Sequence, residues 1–182
     1  MRPAPGQSDL GDLLSGAGGA RRTDQHGRAL APEDFRDKVV VISFVAEDCS
    51  VVCILRARDL DALARGLRGG AVFLTLAMGD ARDAGRLRAF AEGVVGAASP
   101  LRFLTSDPEG TARLAALLRY PAASLPEPPP QILLFDRRGQ VAMTYGGDPV
   151  DGPRLGRDIA LLRTFEGGLD ARRDEAAASP GP

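Results

Sequence analysis

The sequence predicts an α/β layer fold, with one mixed β-sheet held between helices. Three observations carry that expectation. β-branched apolar runs alternate with segments of helical period from about residue 38 to residue 118, two strands then follow around the turn Asp136-Arg137-Arg138-Gly139, and a last helical segment closes the chain. At 182 residues there is room for one ordinary domain, which at this size buries roughly 70% of its unfolded surface and needs no disulfide framework. No internal repeat or second domain is visible.

Residues 1–20 are rich in Gly, Ala and Ser with weak periodicity and read as a flexible leader, as does the tail 171–182, leaving 21–170 as the domain. Thr23-Asp24-Gln25-His26-Gly27 reads as a turn joining two short strands, an N-terminal β-hairpin extension, and Pro32 to Asp37 as a brief helical connector. Lys38 to Phe44 is a nearly continuous β-branched run broken only by Ser43, as a central strand buried on both faces requires. From Ser50 to Arg68, Val52, Leu55, Leu60, Leu63, Ala64 and Leu67 recur mostly at three and four residues, the pattern of an amphipathic helix that Gly69-Gly70 ends.

Ala71 to Leu76 is the next strand. Asp83 to Val94 is a helix carrying Leu87, Phe90, Ala91 and Val94 on one face, and Leu101 to Thr105 is a third strand. Asp107-Pro108-Glu109 supplies an N-cap, a first-turn proline and an acidic first turn for a helix reaching about Leu118. After a proline-rich loop, Ser124 to Pro130, come strands Gln131 to Phe135 and Gln140 to Tyr145, then a helix from about Pro153 that covers Ile159, Leu161 and Leu162.

Composition removes several classes of function. Lys+Arg 23 against Asp+Glu 24 leaves a net charge of -1, so no global field draws the protein to nucleic acid or to an acidic membrane. The most apolar run, Val39 to Ala46, is far shorter than the ~20 residues needed to cross a bilayer, and no transmembrane segment is expected. The N-terminus lacks the apolar stretch of a secretory signal, which places a complete chain in the cytoplasm, whereas a chain that has lost its leader is free to work elsewhere. With two cysteines, one histidine and three methionines in the chain, any cysteine or histidine chemistry must use Cys49, Cys53 and His26.

The cysteines form one motif, Cys49-Ser50-Val51-Val52-Cys53, where the first buried strand gives way to a helix. Such junctions at the carboxyl edge of a sheet are where α/β proteins place reactive groups. Free N–H groups at the helix start favour thiolate at Cys49, and the preceding Glu47-Asp48 oppose it. The i, i+4 spacing sets the two Cβ atoms ~5–6 Å apart. That separation suits a disulfide or a clasp around one soft metal ion.

The run TDQHGRALAPEDFRDKVVVISFVAEDCSVVCILRARDLDALARGL, with the later FLTSDPEG and ILLFDRRGQV, resembles the Sco/SenC family of thioredoxin-like copper-delivery proteins over roughly residues 22 to 165. The resemblance implies a thioredoxin-like fold and one copper ion held by both motif cysteines and a histidine, in assembly of the copper site of cytochrome c oxidase. It also implies an extracytoplasmic, periplasmic location. Cys49 and Cys53 carry over as the thiolates, for a cuprous ion. The histidine does not carry over: counted back from the Asp136 to Gly139 turn, its position falls at about Pro128. The prolines that usually follow each cysteine in the family are Ser50 and Ile54 here.

Of the remaining ligands, His26 lies in a turn that the resemblance places away from the cysteines, and Glu127 offers a hard oxygen poorly matched to cuprous ion. Pro130 stands six residues before Asp136, where thioredoxin-like reductases carry a cis-proline beside the active site. A cis bond at Pro130 is therefore the expectation that accompanies a dithiol–disulfide exchange role, with Cys49 attacking and Cys53 resolving. A degenerate domain used only for binding is a further alternative. A peroxidase is disfavoured, since residues 45 to 48 read Val-Ala-Glu-Asp and supply no threonine ahead of the nucleophile.

Overall fold

A computed structural model of the chain describes residues 9–16, 21–125 and 127–164. Its sheet comprises β1 (Val40–Val45), β2 (Val72–Ala77), β3 (Arg102–Leu104), β4 (Ile132–Phe135) and β5 (Val141–Tyr145), in the spatial order β3-β2-β1-β4-β5. The first three strands are parallel, β1 pairing in register from Val40 opposite Val72 to Val45 opposite Ala77, and β4 runs antiparallel to both its neighbours, β1 and β5. The expected mixed sheet is therefore present. β1 lies at its centre, and every residue of that strand is buried.

Alternation along the strands creates two cores. Val41 and Val45 face α2 (Val51–Leu67), α3 (Ala84–Val95) and α5 (Gly152–Thr164), whereas Val40, Ile42 and Phe44 face α1 (Asp9–Leu14) and α4 (Pro108–Leu117). Ser43, the one polar residue in β1, faces the α2 side, where its hydroxyl pairs with that of Thr75 on β2 at 3.0 Å. The two buried hydroxyls satisfy each other, so the polar break costs little. Helix starts fall where the capping residues stand: Ser50, Asp83 and Asp107 each accept a hydrogen bond from a first-turn N–H.

Several expectations are corrected. Residues 9–14, assigned by composition to a flexible leader, form α1, whose Leu10, Leu13 and Leu14 are buried against the second core. Three leucines on one face of a single turn were enough to dock it, anchored by Leu10 N–H on Gly139 O at 2.9 Å. The N-terminal β-hairpin is not formed as paired strands: Thr23 and Ala29 make one isolated bridge, and Asp24 makes another with Leu104 on β3. The turn closes on itself through Asp24 N–H on Arg28 O at 2.8 Å and Leu30 N–H on Arg22 O at 2.7 Å, and is tied to β3 by Gln25, which accepts from Phe103 N–H at 2.8 Å and donates to Leu101 O at 2.8 Å. On α2 the buried face runs through Cys53, Ala57, Leu60 and Ala64, leaving Val52 and Leu55 about half exposed. Leu161 of α5 is likewise exposed, Leu155, Ile159 and Leu162 being the buried set. The expected tail 171–182 lies outside the described residues.

Asp24 holds the turn to the sheet. Its carboxylate is fully buried, accepts from the backbone N–H groups of His26 and Arg28, and pairs with Arg102 of β3 at 3.0 Å. Burial alone would raise its pKa, but the hydrogen bonds and Arg102 together outweigh burial and hold it below the ordinary aspartate value. A depressed folded pKa means stability that is present above the unfolded value of ~3.9 and is lost as pH falls through the folded value. Asp24→Ala should cost about 1–3 kcal/mol in urea unfolding at pH 7, because it leaves two buried N–H donors without an acceptor and Arg102 with Asp34 as its one remaining counter-charge. The difference between variant and wild type should shrink when the titration is repeated near pH 2, and a pH-independent difference would contradict this account.

Candidate functional site

The site is built on the passage from β1 to α2. β1 ends at Val45, Cys49 N–H closes a tight turn onto Ala46 O at 3.1 Å, and Ser50 caps α2 by accepting from Cys53 N–H at 3.3 Å. Cys49 thus precedes the cap and Cys53 is the third residue of the helix. Their Cα atoms are 5.7 Å apart and their sulfurs are joined as a disulfide. The spacing in sequence therefore becomes the pairing in space that it suggested.

The two sulfurs differ in access. Cys53 is 0% exposed within the α2-side core, while Cys49 is half-buried at the boundary of both cores. An incoming thiol reaches Cys49 first. Around it, Val51, Val52 and Leu55 are 71%, 48% and 50% exposed, an apolar surface next to the accessible sulfur. Of the acidic pair ahead of the motif, Glu47 is turned away onto Arg86 of α3 at 2.9 Å.

The proline loop closes over the motif from the opposite side. Glu127 accepts from Ser50 N–H at 3.0 Å and from its hydroxyl at 2.6 Å, and the loop is anchored by Tyr120 Oη donating to Glu127 O at 2.7 Å. Both carboxylate oxygens are engaged on the residue between the cysteines. Pro128, at about the position where the resemblance sets a histidine, is buried. Pro130 is exposed, and the cis expectation for it is corrected: the cis peptide among the described residues is Asp148-Pro149, in the loop after β5. The backbone of Pro130 is committed to a close approach, its carbonyl oxygen 2.4 Å from where a Cβ on Gly147 would stand, so the two chains pass at a distance only glycine allows.

His26 does not join the cysteines. It is exposed in the turn beyond β3, which runs antiparallel to that strand, so His26 falls towards the amino-terminal end of the parallel strands while Cys49 stands past their carboxyl end. Among the described residues no group of three His, Cys, Asp or Glu could hold a metal ion. What the site offers is two sulfurs, competent for disulfide exchange and for two-coordinate binding of a soft ion.

Two features escaped the sequence reading. The Glu127–Ser50 contact spans 77 residues and had no local signal. Arg56 had one: it sits in phase with Cys53 and Leu60, on a face otherwise buried, and a charge there demands a partner. The structure supplies Asp148, which accepts from Arg56 Nε at 3.2 Å and Nη2 at 2.9 Å, with Arg56 only 4% exposed.

Fold and site together define a thioredoxin-like domain with a disulfide-forming cysteine pair at the carboxyl end of its central strand. Solved structures of the Sco/SenC family have this fold. A SCO1/SenC family lipoprotein from Bacillus anthracis superposes with a TM-score of 0.67 at 20% identity, covering 79% of this chain and 92% of that one. BsSco, described with a disulfide switch as a member of the Sco family of cytochrome c oxidase assembly proteins, gives 0.64 at 15% identity, covering 88% and 100%. Bradyrhizobium japonicum ScoI with copper bound gives 0.59 at 16% identity, covering 78% and 96%. No protein-family model and no curated protein matches the chain.

The unequal burial generates a prediction. When the reduced protein is treated with a limiting alkylating agent and mapped by peptide mass, Cys49 should be modified before Cys53. Equal labelling, or Cys53 first, would contradict the site as described.

Proposed function

We propose that the protein is a Sco-type dithiol protein that exchanges its Cys49–Cys53 disulfide with a thiol-bearing partner in assembly of the copper site of cytochrome c oxidase, and carries cuprous ion between the same two sulfurs. The observation that carries this reading is the pairing of one accessible and one buried cysteine at the strand-to-helix junction. The likeness to BsSco and to a copper-bound ScoI supports it. Such a role belongs outside the cytoplasm. The apolar surface of Val51, Val52 and Leu55 is where the partner's thiol-bearing segment would lie.

In the exchange step, the Cys49 thiolate attacks a disulfide of the partner, releasing one partner thiolate and leaving a mixed disulfide; the Cys53 thiolate then attacks Cys49 Sγ, forms the Cys49–Cys53 bond and releases the second partner thiolate. Two electrons pass from the protein dithiol, which becomes a disulfide, to the partner, whose cysteines become the thiols that copper needs. A dithiol reductant reopens the pair by the reverse route, attacking Cys49 Sγ and sending the electron pair to Cys53. The reduced pair is the form that accepts cuprous ion.

A second reading, a general thiol–disulfide oxidoreductase, is favoured by one observation: among the described residues no third His, Cys, Asp or Glu joins the two cysteines in a group that could hold a metal ion. Two thiolates suffice for near-linear cuprous ion, whereas cupric ion prefers nitrogen and oxygen donors that this site lacks. Anaerobic titration of the reduced protein should therefore give one cuprous ion per chain and little cupric affinity, both unchanged by His26→Ala. Tight cupric binding with thiolate charge-transfer absorption would overturn the assignment. Absence of cuprous binding alongside reversible disulfide formation would leave the oxidoreductase reading in its place.

A further inference from the structure

One helical turn after Cys53, on the same buried face of α2, lies a charge that the exchange chemistry above does not use. Arg56 is 96% buried by its 4% exposure, and its guanidinium is held through Nε and Nη2 by Asp148, yet Nη1 is buried with no hydrogen-bond partner. A buried N–H without an acceptor is costly. Asp148 is itself 39% exposed, so it does not fully explain why a cation is kept inside the α2-side core.

Helix geometry and sheet register both set this guanidinium at the end of the fold that carries Cys53. Helical side chains lean towards the amino terminus, so Arg56 reaches back over the turn that carries Cys53, three residues earlier and on the same face. The sheet register says the same. Arg56 Nε lies 2.5 Å from where a Cβ on Gly147 would be, beside the Pro130 carbonyl. Continuing the pairings of Leu133 with Ile42 and of Ile132 with Tyr145 sets Pro130 level with Val45 and Gly147, the level at which the chain leaves β1 for the cysteine motif.

We propose that Arg56 is a positioning residue for disulfide exchange, its unpartnered Nη1 donating to Cys53 Sγ when that sulfur becomes the leaving group. This rests on the exchange reading above. Attack at the accessible Cys49 breaks the S–S bond and sends the electron pair to Cys53, a sulfur with no access to water. A disulfide sulfur is a weak acceptor, while the departing thiolate is a strong, charged one. The N–H left idle in the oxidised protein is thus used in the reduced one, which favours reduction. Gly147 leaves room for the guanidinium, and Asp148 tempers its charge.

The test is the equilibrium of the full-length protein with a reference dithiol–disulfide couple, together with the rate of reduction by that dithiol. In Arg56→Gln the reduction equilibrium should fall about tenfold, or about 30 mV for this two-electron couple, and the rate should fall with it. Arg56→Lys, which keeps the charge and guards against misfolding of the first variant, should fall between. Asp148→Asn, which frees the guanidinium from its counter-charge, should move the equilibrium in the opposite direction. A merely structural ion pair would make Arg56→Gln and Asp148→Asn shift alike or not at all, and either result overturns the inference while leaving exchange intact. A wild-type disulfide that the dithiol cannot reduce would overturn the exchange reading itself, and the inference with it.

Discussion

The site depends on one constraint: β1 is buried on both faces at the centre of the sheet, so the chain can leave it only at its carboxyl end and must turn at once into a helix that covers one face. Cys49 and Cys53 occupy that turn. Hydrogen bonds to β2 and β4 on either side fix where β1 stops, and the Ser50 cap fixes where α2 starts. The geometry of the sulfurs is therefore set by the strongest part of the fold and not by a loop of its own.

Around that junction the protein spends polar groups unusually close to its core. Ser43 and Thr75 satisfy each other under α2, Glu127 secures the residue between the cysteines, and Arg56 is drawn to Asp148 across 92 residues. Each contact ties a separate part of the chain to the β1–α2 unit: β2, the proline loop, and the segment after β5. The β1–α2 unit that carries the cysteine pair is thus held from three directions, while Val51, Val52 and Leu55 remain exposed on α2.

Much of this was legible in the sequence because it is local. The uninterrupted run before Ala46, the capping residues Ser50, Asp83 and Asp107, and the Asp136-to-Gly139 turn between two strands all act within a few residues, and the elements they predict are present. Where periodicity was weak, burial went elsewhere: Leu10, Leu13 and Leu14 lie in a stretch whose Gly and Ser content suggested a flexible leader, yet one turn of leucines found an open face of the sheet. Val52 and Leu55 fit a helical stripe on spacing alone, but the face containing Cys53 had already been chosen by the packing of Ala57, Leu60 and Ala64.

The sequence by itself determined the element order, the mixed sheet and the location of both cysteines, since strand patterning, caps and i, i+4 spacing are properties of neighbouring residues. Strand order and long-range packing settled which sulfur is accessible, that the Pro129–Pro130 bond is not cis, that His26 lies away from the motif, that Glu127 reaches Ser50 and that Asp148 reaches Arg56. Those outcomes depend on strand order and register. Glu127 meets Ser50, and Asp148 meets Arg56, only when β4 and β5 pair beside β1, and no short-range pattern records that pairing.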